Sequence, residues 1–242
     1  MQSSLNIGLS AQVALEKRLA TIANNMSNSD TTGFRTEKVK FSEVVNSINN
    51  DFNQQVSFVS KGDEYLSRQE GSIVNTGGSL DFSIQGDAWF SLDTPSGMIL
   101  TRDGRFKVDN NGVLVSSTGR YPVLDIEGVP IQIPQKDEVF EVGDGGEVSQ
   151  KGKMIGIMGL FLADVSKGFM RRENSGISPN ISPIPLSDRS EITIQRGYLE
   201  SSNANSMYEL SQLIHLTQKF NSITSLIDNS ENSLLEAIKN LT

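Results

Sequence analysis

The 242-residue sequence contains no cysteine and a single histidine, His215. Without thiols there is no disulfide framework and no thiolate nucleophile, and one histidine leaves a Cys/His zinc site short of ligands. Cations are also in deficit: 21 Lys and Arg stand against 29 Asp and Glu, for a net charge of −8. Neutralising phosphates takes clustered Lys and Arg, so nucleic acid and anionic membrane surfaces are excluded as partners. No run approaches the roughly 18 apolar residues that cross a bilayer, so no membrane insertion is expected. Residues 1–8 lack the basic region and continuous apolar stretch of a cleavable signal peptide. Export, if it occurs, must use another route. At 36% hydrophobic and 21% charged residues, the chain is polar for an enzyme yet too apolar for full disorder.

Proline and glycine are missing from the ends. All seven prolines lie between Pro95 and Pro185, Gly8 is the lone glycine before Gly33, and neither residue follows Gly197. Both ends are therefore free to be helical and the middle is not. Leu5, Gln12, Leu19 and Met26 recur every seven residues with Leu15 and Ile22 between them, and Leu9, Val13, Ala20 and Ala23 widen the stripe. This predicts an amphipathic helix capped by Ser3 or Ser4 and ended by the Asn- and Ser-rich run 24–33. At the other end Leu213, Phe220, Ile227, Leu234 and Leu241 repeat every seven residues, with Leu210, Thr217, Thr224, Glu231 and Ile238 as the partner set. That spacing predicts a coiled-coil seam, and Leu216, Ile223 and Leu226 add apolar surface for a further neighbour.

The centre reads as β structure. Short alternating or apolar runs at 80–84, 88–92, 98–101, 105–108, 113–115, 131–133, 155–162 and 191–196 predict strands. Asp103-Gly104 and Asn111-Gly112 are hairpin-turn signals. Residues 40–68 read as a polar linker or arm, and 175–187, with three prolines, as a loop. The expected fold class is α+β, a central mainly-β domain flanked by terminal helices. The segments are 1–39 (helix and turn), 40–74 (arm), 75–196 (β domain) and 197–242 (helix).

No enzyme signature emerges. Most of the carboxylates (Asp81, Asp87, Asp93, Asp103, Asp109, Asp125, Asp144) sit in or beside glycine-containing turns, where Asp bonds the backbone. A glycosidase needs two of them facing one cleft. His215 has no nearby triad partner. The stretches 109–112 and 228–231 fall short of a calcium loop, lacking the bidentate Glu and the central Gly respectively. No catalytic residue, metal site or cofactor is expected. The unpaired part of the long C-terminal seam is different: a monomer would leave it exposed, and burying each Leu or Ile contributes on the order of 1.5–3 kcal/mol. Folding coupled to assembly is the consequence.

Several segments resemble the rod and hook proteins of the bacterial flagellum. The run Ile22-Ala23-Asn24-Asn25-Met26-Ser27-Asn28-Ser29-Asp30-Thr31-Thr32-Gly33-Phe34-Arg35 resembles their N-terminal signature, with Met26-Ser27 in place of Leu-Ala. Residues 75–90, with Gly86, Ala88 and Trp89, and residues 100–124, opening Leu100-Thr101-Arg102-Asp103-Gly104, are similar to the family's central motifs. Gly197-Tyr198-Leu199-Glu200-Ser201-Ser202-Asn203-Ala204-Asn205 is similar to the run that opens the C-terminal helix. Length separates the chain from the larger hook protein. Residues 213–220 lack the Arg-Ala-Tyr-Glu run of one of the two rod proteins of this size, which favours the other.

The resemblance implies a structural subunit of the basal-body rod, located in the periplasm after export through the flagellar type III apparatus. Its implied partners are proximal and distal rod subunits and copies of itself, and it polymerises helically into a torque-transmitting shaft. The terminal helices would pair as a coiled coil, with Leu5, Leu15, Leu19 and Ile22 against Leu213, Phe220, Ile227 and Leu234. Asn24, Asn25 and Gly33 would set the turn out of the first helix. The residues alone leave two alternatives open: a secreted carbohydrate-binding domain or hydrolase, and a closed coiled-coil oligomer with a β head.

Overall fold

The computed structural model describes residues 2–47, 55–59, 62–134, 140–187 and 191–239. The chain forms two helices, α1 (Gln2–Ser27) and α2 (Ser206–Lys239), with short strands between them. It divides into two compact units. One comprises residues 1–27, 37–65 and 205–242, the other residues 28–36 and 66–204.

In the helical unit α1 and α2 pack antiparallel: Asn25 lies against Glu209 near one end and Gly8 against Ile227 at the other. Helix α1 already begins at Gln2, ahead of Ser3 and Ser4. Asn205 caps α2, its Oδ1 accepting from the Tyr208 amide at 3.0 Å. The polar arm is β structure as well. Strand Glu43–Ser47 pairs antiparallel with Gln55–Val59, and Glu37–Lys40 pairs with Asp63–Leu66.

In the β unit a six-stranded sheet runs in the order Phe169–Arg171, Ile177–Pro179, Gly97–Thr101, Trp89–Thr94, Leu160–Leu162, Ile184–Pro185, with every neighbour antiparallel. A three-stranded meander (Phe140–Val142, Glu147–Gln150, Lys153–Ile157) and the hairpin of Phe106–Val108 with Leu114–Ser116 accompany it. Phe82, Phe90, Leu92, Leu114, Met158 and Leu160 are buried in one core cluster, and Trp89, Leu100, Phe161 and Ile177 in a second.

Four expectations change here, the first being the run 131–133, which forms no strand but a single isolated bridge from Gln132 to Val113. The run 155–162 is two strands separated at Gly159, where a Cβ would lie 2.5 Å from the Asp125 carbonyl oxygen. Segment 175–187 contributes two strands, Ile177–Pro179 and Ile184–Pro185, with each proline at a strand end, where the missing N–H costs least. Asn111-Gly112 does turn a hairpin, with Gly112 at φ +80°, but Gly104 serves another purpose. A Cβ there would lie 1.7 Å from the Phe82 carbonyl oxygen, so glycine permits two backbones to touch.

Candidate functional site

The helical unit is held along one seam. On α1, Gly8, Ala11, Leu15, Ile22 and Asn25 turn toward α2 at steps of three, four or seven residues, with Ala14 beside Leu15. On α2 the matching line is Glu209, Leu213, Leu216, Phe220, Ile223, Ile227 and Ser230. Small residues on α1 let the helices approach closely: a Cβ on Gly8 would meet Ile227 Cγ1 at 3.2 Å. The seam is thin. Among the residues of this unit whose side chains are described, only Ala14, Ile22 and Leu216 are buried apolar ones.

Of the residues singled out for the seam, Ile22 is buried, and Leu15, Leu19, Leu213, Phe220 and Ile227 are half-buried. Leu5 and Leu234 lie within α1 and α2. Leu210 is 40% exposed, and Leu241 falls outside the described residues.

A polar pair closes the seam at its other end. Asn25 donates to Glu209 Oε1 at 3.3 Å and to the Glu37 carbonyl at 2.9 Å, while its own carbonyl accepts from the Glu37 amide. Burial pushes the Glu209 carboxyl above its usual range, opposed by the Asn25 hydrogen bond and by Lys38. Asn25 thus ties α1 both to α2 and to the strand that follows. Asn24 is half-buried and Ala23 exposed in the same last turns.

Beside the seam runs a groove. One stretch, about 520 Å³, has a floor of Ala11, Ala14, Leu15, Phe41 and Ile223, and its rim carries Arg18, His215 and Lys219. A second stretch, about 380 Å³, continues through the shared Ala11 and Ile223 to Gly8, Leu226 and Ile227.

In the β unit, motif residues from three distant parts of the chain meet around Glu200. Its Oε1 lies 2.8 Å from Arg35 Nη2 and accepts from the Gly71 amide at 3.0 Å. Its Oε2 lies 3.0 Å from Arg102 Nε, a close ion pair that falls outside hydrogen-bond alignment. Arg102 also donates to the carbonyls of Ala88 and Gly86, at 2.6 and 2.9 Å, and meets Glu70 at 3.2 Å. Both guanidinium carbons lie about 6 Å from the Trp89 ring centre, at 6.0 Å for Arg35 and 5.8 Å for Arg102. Burial and the neighbouring Arg102 push Arg35 below the usual arginine value, opposed by Glu200 and Glu70.

The family-motif residues build the frame of this cluster. Gly33, at φ +68°, donates to the Glu200 carbonyl at 2.8 Å, and a Cβ there would strike Asp103 N at 2.2 Å. Phe34 is buried and carries Arg171 over its ring at 4.3 Å. Asn203 accepts from the Thr36 amide at 2.7 Å and donates to the Gln69 carbonyl at 2.6 Å. Gly86 binds Glu70 through its amide, Gly197 turns at φ +82°, and Leu199 sits in the strand Tyr198–Glu200. Arg35, Arg102, Trp89 and Glu70 complete the site without having been singled out. The only sequence signal for three of them was their place inside the quoted motifs.

Several of the aspartates suspected of chemistry organise turns: Asp109 Oδ1 accepts the amides of Asn111 and Val113, and Asp125 Oδ1 those of Glu127 and Val129. Asp103 grips Arg105 with both oxygens, at 2.9 and 2.8 Å. His215 stands exposed on the groove rim. Among the described residues no helix is long and apolar enough to cross a membrane.

Residues 5–35 match the family described as flagella basal body rod protein, and residues 83–150 match the D1 domain of flagellar hook protein FlgE/F/G. Over its whole length the chain is 48% identical to the flagellar basal-body rod protein FlgF of Rhizobium meliloti, covering 98% of that protein. It is 44% identical to FlgF of Mesorhizobium japonicum, again across all of this chain and 98% of the relative. The flagellar basal-body rod protein FlgG of Bacillus subtilis is 29% identical over 98% of both chains.

Proposed function

Because the chain belongs to the FlgF family of flagellar basal-body rod proteins, we propose that it polymerises helically into the torque-transmitting shaft of that rod. It is a structural subunit of the flagellar basal body and not an enzyme, as its relatives are. On this reading it leaves the cytoplasm unfolded through the flagellar type III apparatus. It then folds in the periplasm against proximal and distal rod subunits and against its own copies.

The observation that carries the reading is the imbalance between the two units. The β unit buries two apolar clusters of its own. Among its described residues the helical unit buries three apolar side chains and exposes eight large ones: Ile7, Leu9, Val13, Met207, Tyr208, Leu210, Ile214 and Leu226. Isolated helices are marginal in water, so a hairpin with so little buried surface gains most of its stability by packing against other subunits. In assembly the seam residues Leu15, Leu19, Ile22, Leu213, Phe220 and Ile227 form the hairpin's inner line.

The test is complementation in cells lacking this gene. The full chain is expected to restore basal bodies with complete rods and to restore swimming. A chain stopped after Leu226 is expected to leave a folded β unit and no rod. Motile cells carrying the truncated chain would overturn the assembly role of the helices.

A further inference from the structure

Helix α1 has two apolar faces, and its partner helix uses one. Positions 11, 15, 18 and 22 point into the seam and its groove, whereas 9, 13, 16 and 20 fall roughly 160° around the helix at 100° per residue. Leu9 is 56% exposed and Val13 52% exposed, and Glu16 and Ala20 are exposed with them. This outer stripe is a second heptad-spaced line, apolar except for the single carboxylate Glu16.

The groove on the other side of the hairpin is its chemical complement. Its floor is apolar (Ala11, Ala14, Leu15, Ile223), its charged or titratable rim residues are Arg18, His215 and Lys219, and among the described residues no acidic side chain lines it. A basic rim stands out on a chain of net charge −8. Lys17, the cation adjoining Glu16, is already tied to Glu64 at 3.2 Å and to the Gly62 carbonyl at 3.0 Å. Glu16 is therefore the charge that the outer stripe presents.

We infer that the outer stripe of one copy, Leu9, Val13, Glu16 and Ala20, lies in the groove of a second copy, with Glu16 against Lys219 and Arg18. The inference rests on the rod-subunit reading and specifies which two faces meet. Stripe and groove do not overlap, so the contact is head-to-tail. Each copy that docks leaves a free groove at one end and a free stripe at the other, which is the condition for an open helical polymer rather than a closed dimer. The apolar residues supply burial, and the charges fix which face is chosen.

A chain without cysteine makes the test clean. Cells lacking the gene receive two full-length copies, one carrying Val13→Cys on the stripe and one carrying Ser222→Cys in the groove, and are oxidised mildly. Both positions are exposed or half-open, and unchanged helical circular dichroism of each purified variant checks the fold. The pair is expected to give disulfide-linked dimers at least tenfold above either variant alone. Lys219→Glu in the groove copy should abolish the product, and Glu16→Lys in the stripe copy should restore it. Cross-linking no greater in the pair than in the single variants, or unaffected by Lys219→Glu, overturns the inference. If cells with the wild-type chain swim while these outcomes fail, the inference falls and the rod reading stands. If the wild-type chain restores nothing, the rod reading itself falls.

Discussion

Glu200 lies 2.8 Å from Arg35, and both side chains are less than 5% exposed. Arg35 closes the N-terminal motif and Glu200 lies within the C-terminal one, so the ion pair pins together the two ends of the β unit's sequence. Arg102, 2% exposed, supplies the second cation. Removing one member of a buried, paired set leaves the others charged and unsatisfied, which costs about 3–5 kcal/mol.

Glu200→Ala should therefore destabilise the β unit by roughly that amount. The readout is built in, because Trp89, the only tryptophan, lies about 6 Å from both guanidinium groups. Denaturant unfolding followed by its fluorescence should show the midpoint falling. A midpoint within error of wild type would mean the cluster contributes nothing to stability.

At the seam, burial holds the Glu209 carboxyl above its usual range. A group whose folded-state value is raised favours the protonated form on folding. The helical unit should gain stability as pH falls through the folded value, with the gain complete below the unfolded value of roughly 4.3. Above the folded value the charged form carries the full penalty. Glu209→Gln keeps an acceptor for Asn25 and should raise the helix melting temperature at neutral pH while flattening its acid-side dependence. A steeper acid dependence in the variant would contradict this account of the pair.

The thin seam makes its few apolar residues disproportionately important. Ile22→Ala or Leu216→Ala removes one of the three buried apolar side chains among the helical unit's described residues. A core truncation of this kind costs about 2–5 kcal/mol. Far-ultraviolet circular dichroism should lose helical signal, while the Trp89 unfolding midpoint stays in place. If both signals move together, the two units do not unfold separately.

Gly104 tests the backbone approach that its motif encodes. A Cβ there would sit 1.7 Å from the Phe82 oxygen, and neither backbone is a flexible side-chain end. Gly104→Ala should cost about 3 kcal/mol or more, because overpacking forces backbone shifts. Wild-type stability in this variant would show that the two segments separate at little cost.

Much of the fold was legible because the strongest signals are exclusions. With no proline and only Gly8 in residues 2–27, and neither residue in 206–239, the helices were marked by what the ends lack. Most strands with alternating runs, and the Asn111-Gly112 turn, were equally plain, although 131–133 keeps only a single bridge. Segment 177–185 was hidden by its prolines, and the break at Gly159 by a contact with residue 125 that no local pattern encodes. The α2 seam runs through Glu209, Leu216, Ile223 and Ser230 as well as Leu213, Phe220 and Ile227. Two polar members disguise that line, whereas Leu210 made a neighbouring one look better. The ion cluster was the least legible part, since only the fold brings residues 35, 102 and 200 together.

The most direct measurement is hydrogen exchange on the free chain and on the same chain in isolated basal bodies, read separately over α1, α2 and the β unit. The account predicts slow exchange in the β unit in both states. It predicts fast exchange in α1 and α2 of the free chain, becoming slow in the assembled rod. Helices equally protected in both states would contradict the claim that the hairpin is completed by its neighbours.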